Sequence, residues 1–479
     1  TGSAVKRNKV PAIEAKGIKS NQEKTELKVE NNLDTDKVRG LVWRLAFPSM
    51  LAQFVNVMYS IVDRMYIGNI PEIGALALAG VGICGPVVTL ISSFASWIGV
   101  GGAPLMSIRL GQKNERAAAQ MVANCFALLT GMALIIMTVS YLFKDQLLVF
   151  FGAGPAIFPY ANQYMSWYLT GTAFALISAG MNQFIICQGF ATVGMKSVVL
   201  GAVSNIVLDP VFIFVMNMGV RGAAIATVLS QMASCIYVLL FLFGKRPLVR
   251  ITFGGYRWKT MKQVLLVGLS PFLIIASDSL LIIVMNMVIS SYGGPERSDM
   301  LLTCNTIVQS FMLIITMPLG GITGGTQTVM GYNYGAGRPD RIRKAEKHIL
   351  LLSVAFTTVM FIIAQAGPGY FVRIFTREMS YVRVTEWAIR IFTLCIIPLA
   401  VEYTVVDGFT GMGIAKVAIS LSMFRKSVYF LGMILLPRYF GVEAVFYAEP
   451  ISDIMACAAA STTFIMLSGK VLKDNRRLF

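Results

Sequence analysis

The chain has 479 residues, of which 56% are hydrophobic and 14% charged, with a mean hydropathy of +0.68. A soluble globular chain carries roughly 25% charged residues, so a series of soluble domains is excluded and a membrane bundle embedded in a lipid bilayer is implied. The net charge of +17 would suit a nucleic-acid ligand, but its distribution records membrane topology instead, and no nucleic-acid partner is expected.

Residues 1–40 are polar, mixed in charge and nearly free of aromatics, which predicts a disordered cytoplasmic tail. Apolar spans follow near 45–69, 76–108, 117–143, 160–187, 197–217, 222–244, 263–291, 301–332, 349–368, 385–408, 414–436 and 444–468. A tail at 470–479 closes the chain. No cleavable signal peptide is evident, and the first span is expected to act as its own targeting signal. With the N-terminus inside, 30 of the 41 Lys and Arg residues fall on the inner face, counting Lys416 at the inner edge of span 414–436, and 7 on the outer. That bias predicts cytoplasmic termini and a secondary attraction to anionic lipid.

The spans divide into two similar sets. Pro48 recurs as Pro271, Gly111 as Gly335, Gly219-Val220 as Gly441-Val442, and Gln188-Gly189-Phe190 as Asp407-Gly408-Phe409, at offsets of 223, 224, 222 and 219. Six spans per set return the chain to the same side, so the repeats are parallel, a pattern found among secondary transporters. The predicted fold is an all-α membrane protein of 12 transmembrane helices, in two pseudo-symmetric six-helix lobes around a central cavity. The lobes are 41–244 and 263–469, joined by a cytoplasmic linker at 245–262. Pro48, Pro210, Pro271, Pro318 and Pro398 are candidate bends.

The seven cysteines lie in apolar segments without metal spacing, which predicts buried reduced thiols. No HExxH, GxSxG or GxxxxGK[ST] occurs, and the single histidine, His348, opens span 9 at the membrane edge. An enzyme, an ATP-driven pump and a bound cofactor are all disfavoured.

Charges buried in lipid spans are costly, about 2.5–3.5 kcal/mol or more at mid-membrane. In the first half Asp63 and Asp209 lie deep in apolar sequence. Asn205 and Asp209, four residues apart, share a helix face. Pro210 has no N–H, so the carbonyl of Ile206 lacks its helical partner. Thr227 adds a hydroxyl from the next span. Such an oxygen cluster suits a proton or a hard cation such as Na+, although a structural Asp209–Asn205 pair would explain part of the pattern. The second half differs: its acids are Asp278, Glu402 and Asp407, and Arg425-Lys426 stand in span 11. Pairing of Arg425 with one of these acids is expected. Surplus acid here could meet a cationic substrate.

Several motifs carry a family resemblance. They are Val62-Asp63-Arg64-Met65-Tyr66-Ile67-Gly68, Gly101-Gly102-Ala103-Pro104, Asn205 to Pro210, Gly219-Val220-Arg221-Gly222-Ala223-Ala224, Tyr332-Asn333-Tyr334-Gly335-Ala336 and Phe424-Arg425-Lys426. From about Val42 to Leu472 the chain resembles the multidrug and toxic compound extrusion (MATE) family, in its MepA-like bacterial branch. The resemblance implies export of amphipathic, often cationic drugs in exchange for H+ or Na+, from the bacterial cytoplasmic membrane. Family cation-site positions match at Asp63, Asn205, Asp209 and Thr227. Asp278 stands where the family often carries an acid, and Asp407 where this branch usually has an uncharged polar residue. The chain is expected to act as a monomer. Two alternatives stay open: a lipid-linked oligosaccharide flippase, which needs a cationic cavity, and a non-transporting membrane receptor or scaffold.

Overall fold

The computed structural model describes residues 31–471, apart from Gly152, Thr376 and Arg377. Residues 1–30 of the expected N-terminal tail, and its C-terminal counterpart from 472 onward, lie outside the described residues.

The first lobe contains α1 (Val38–Gly68), α2 (Gly74–Gly111), α3 (Glu115–Leu142), a short α4 (Lys144–Phe150), α5 (Phe158–Thr170), α6 (Thr172–Ile186), α7 (Ala191–Pro210) and α8 (Gly219–Phe243). The second contains α9 (Trp258–Gly294), α10 (Met300–Gly335), α11 (Pro339–Ala366), a short α12 (Pro368–Phe375), α13 (Met379–Phe392), α14 (Ile396–Gly411), α15 (Ala415–Phe440) and α16 (Ala448–Val471). Ten of these are long and apolar enough to cross a membrane unaided, α16 together with the 3-10 turn Val442–Tyr447 before it. Two bent pairs, α5/α6 at 56° and α13/α14 at 46°, bring the count to 12 when each pair is one broken span.

The sharp breaks fall at Gly171 and at Thr393–Cys395. Pro48 and Pro271 instead sit within continuous helices, because a proline in the apolar interior is tolerated where neighbours re-satisfy its carbonyl. Pro210 does change the backbone: the α-helix gives way to a π-turn at Val211–Val215, a local widening common at functional sites.

Lipid-facing surfaces are apolar, with Leu142, Phe150, Val215, Leu240 and Ile465 largely exposed. Ser93, Ser107, Thr326, Thr328 and Asn333 are buried between helices. That inversion is expected where the outer solvent is hydrocarbon and small polar side chains let helices approach.

The duplication is visible in the backbone. Lys113 and Gly337, Gly189 and Gly413, and Gly219 and Gly441 all adopt positive φ, at separations of 224, 224 and 222 residues. Gly189 therefore matches Gly413 in the turn after each broken span, instead of Gly408. The expected alignment of Gln188 with Asp407 is shifted by five residues, and Gln183 is the counterpart of Asp407. Similar local triplets outweighed turn geometry that only coordinates display.

The lobes meet at the end that carries the start of α1, called here the terminal face. Trp97 Nε1 donates to Leu265 O at 2.8 Å, and Ser107 Oγ to Thr328 O at 3.0 Å. Trp97 stacks on Phe272 across the interface, with centroids 4.4 Å apart. One apolar core runs through the first lobe and across this face into Val329, Met330, Ile349 and Phe409. A second core fills the rest of the second lobe.

The tail expectation needs correction over its last residues. Asn31 and Leu33 are buried, and helix α1 starts at Val38, inside the expected 1–40 tail. Asn31 Nδ2 donates to Gly189 O of the first lobe at 2.8 Å. Arg341 of the second lobe donates to Leu33 O at 3.2 Å and to Asp36 O at 2.9 Å. Arg338 pairs with Asp34. Low hydrophobicity alone predicts disorder; here the backbone carbonyls find arginine donors, so the segment straps one lobe to the other. The linker is shorter than the expected 245–262, since α9 begins at Trp258.

Candidate functional site

Asp63 lies near the end of α1 remote from the terminal face, and Asp209 ends α7 beside it. Their carboxyl groups approach each other closely enough to interact directly. Two carboxylates have only acceptors, so a hydrogen bond between them would need a proton. Asn205 Nδ2 donates to Asp209 Oδ1 at 3.1 Å and approaches Thr227 Oγ1 at 3.4 Å. Thr227 Oγ1 donates back to Ala223 O at 3.0 Å. Asp209 and Asn205 are almost wholly buried and Thr227 nearly so. Asp63 Oδ1, Asp209 Oδ2 and Asn205 Oδ1 are buried with no other protein partner.

All four residues expected in the cation site therefore converge, and three unused oxygens remain among them. Tyr59, Tyr164 and Tyr168 surround the cluster, with Tyr164 close to Thr227 and Tyr168 close to Gln231. These tyrosines were not singled out from the sequence. Aromatic residues are common in apolar spans, and nothing in their spacing marks three that meet across α1 and α5.

The second lobe is arranged differently. Arg425 was expected to pair with Asp278, Glu402 or Asp407. It pairs instead with two acids of α16: Arg425 Nη2 lies 3.1 Å from Glu449 Oε1 and Nε lies 3.2 Å from Asp453 Oδ1. Those acids lie in the first turns of α16, beyond the 3-10 segment Val442–Tyr447, and the antiparallel packing of α15 and α16 brings them against Arg425. Lys426, the next residue along, forms an ion pair with Asp278. Glu402 is buried within electrostatic reach of Arg425, Lys426 and Asp407. Asp407 accepts hydrogen bonds from Thr323 Oγ1 and, at 3.0 Å, from Gln327 Nε2. The four sequence candidates thus belong to one network, in which Glu449, Asp453 and Lys426 carry most of the pairing.

Comparison with known proteins agrees with this architecture. The family model MatE matches twice, at residues 48–211 and 273–435. Curated relatives include the multidrug export protein MepA of Staphylococcus aureus strain N315, 21% identical over 442 residues, covering 90% of this chain and 95% of that one. MepA of Staphylococcus haemolyticus is 20% identical over 441 residues, with coverages of 90% and 94%. Among solved structures, an outward-facing multidrug resistance MATE family transporter of the MOP superfamily has a TM-score of 0.85 at 22% identity, covering 92% of this chain and 98% of its own. A MOP superfamily transporter from Pyrococcus furiosus, described as having a binding pocket of reverse polarity, aligns with the same TM-score, identity and coverage. The two matches fall one on each lobe and together span most of the bundle, so the chain belongs to the MatE family of multidrug and toxic compound extrusion proteins, as a MepA-like member.

Proposed function

We propose that the chain is a secondary multidrug efflux antiporter, exporting small amphipathic cations in exchange for H+ or Na+. The observation that carries this reading is the buried contact between the carboxyls of Asp63 and Asp209. With both ionised and nothing between them, the two groups repel in a poorly screened interior. A proton or a sodium ion removes that repulsion and joins α1 to α7. Its release loosens them.

A path from site to interface supports the reading. Helix α1 packs tightly on α10 of the other lobe: a methyl group on Gly325 would lie 2.4 Å from Ser49 Oγ. A displacement of α1 is therefore felt at the contact between lobes. Cation binding shifts the lobes only if the two arrangements differ in affinity for it, and opening or closing the acidic pair supplies such a difference. A central cavity alternately open to either side, with both termini cytoplasmic in a bacterial inner membrane, completes the proposal. The names of the MepA relatives support drugs as cargo, and the surplus of acids (Asp278, Glu402, Asp407, Glu449, Asp453) over Arg425 and Lys426 in the second-lobe network favours cationic ones.

The test is efflux of a fluorescent cationic dye from vesicles under separately imposed pH and sodium gradients. Expulsion under one gradient, lost in Asp63→Asn and Asp209→Asn protein of normal abundance, is the expected result. Dye movement unaffected by either gradient would overturn it.

A further inference from the structure

The second lobe holds a buried acid that the proposed mechanism does not use. Glu346 lies on α11, two turns from its terminal-face end, and is only 6% exposed. Both of its carboxyl oxygens are buried without a hydrogen-bond partner. The carboxyl rests over the backbone of α14: a methyl group on Gly408 would come within 2.9 Å of Oε2 and 3.1 Å of Oε1. Gly408 thus forms a recess that any larger residue would fill. The charge acting on Glu346 is that of Asp407, its neighbour's side chain on α14. Thr323 and Gln327 of α10 occupy Asp407 with two hydrogen bonds and leave Glu346 with none. Lys344 and Lys347, on Glu346's own helix, are exposed.

A carboxylate with neither donor nor counter-charge is not sustained at this depth; burying an unpaired charge costs several kcal/mol or more. The missing partner must be positive, small enough for a recess one glycine wide, and satisfied by oxygen. We infer that Glu346 and Asp407 form a second monovalent-cation site, for a proton or a sodium ion, between α11 and α14 in the second lobe. It differs from the Asp63/Asp209 cluster in lobe and in depth. The first cluster lies in the half remote from the terminal face and this one in the half next to it. Opening of the terminal face would expose the second site before the first. The inference does not depend on the assignment of the first site, because it can be tested with that site removed.

The experiment uses the full chain in detergent carrying Asp63→Asn and Asp209→Asn. Binding of radiolabelled sodium is measured alongside the infrared band of protonated carboxyl, in the presence and absence of sodium. The expected result is residual cation binding in this background, seen as bound label if sodium occupies the site or as a titrating carboxyl band if a proton does. Glu346→Gln should remove that signal, and Asp407→Asn should weaken it at least tenfold. If Glu346→Gln protein does not fold, the Asp407→Asn arm decides. A background that shows neither signal, or signals unchanged by the second substitution, overturns the site.

Discussion

Gly111 and Gly335 hold equivalent positions in the two repeats, 224 residues apart, and they meet each other's helix. A methyl group on Gly111 would lie 2.0 Å from Tyr332 O, and one on Gly335 would lie 2.0 Å from Ile108 O. The reciprocity follows from a pseudo-two-fold axis passing between α2 and α10. Because each obstacle is backbone, no side-chain rotation relieves it. The closed terminal face depends on this crossing.

Gly335→Ala should therefore force α2 and α10 apart. Overpacking of this kind costs about 1–3 kcal/mol. Thermal unfolding in detergent should show a melting point several degrees lower. Distances between spin labels on the terminal ends of α2 and α10 should lengthen. An unchanged distance distribution would contradict the closed crossing.

Asn205 provides the amide donor to Asp209, so Asn205→Ala withdraws support from one carboxyl while leaving both acids in place. Loss of a buried donor costs about 1–3 kcal/mol. Cation-driven dye efflux should fall roughly tenfold and require a steeper ion gradient. Asp209→Asn should abolish coupling without lowering stability, since the amide keeps the shape and removes a charge. A melting curve and an efflux assay on the same preparations separate the two effects.

Arg425 is the shared partner of Glu449 and Asp453, and all three are buried. Arg425→Met strands two acids, and breaking a buried pair from one side costs about 3–5 kcal/mol. The variant should accumulate poorly in membranes. Adding Glu449→Gln and Asp453→Asn should restore most of the yield, because an uncharged core has no counter-charge to lose. Failure of that rescue would mean Arg425 acts outside this triad.

Arg341 ties the N-terminal strap to the second lobe with two backbone hydrogen bonds and holds Asn333 Oδ1 at 2.8 Å. Arg341→Ala should release residues 31–37. Amide hydrogen exchange there should accelerate at least tenfold while the α1 core retains its protection. Equal protection in both proteins would show that Asn31 and Leu33 suffice to hold the strap.

Much of this molecule was legible from residue order because a membrane restricts the choices. Without water, backbone groups must pair within each span, so apolar length locates helices and the repeat fixes two lobes. The Asp63, Asn205, Asp209 and Thr227 cluster was legible too, since charge in a lipid span is rare enough to stand out. Glu346 was not. It sits in Arg343-Lys344-Ala345-Glu346-Lys347-His348, which reads as a membrane-edge charge run, although α11 begins at Pro339 and carries it inward. Glu449 lies inside the expected span 444–468, but its pairing with Arg425 joins two helices and leaves no trace in residue spacing.

Sequence alone determined the all-helical bundle, its duplication and the first acidic pair, because hydrophobic length and the cost of buried charge act locally. Tertiary structure decided which acid faces which base, where the broken spans bend, and that the strap crosses from lobe to lobe. Those outcomes depend on helix rotation and on contacts between residues far apart in the chain. No periodicity along one helix encodes the neighbour it will meet.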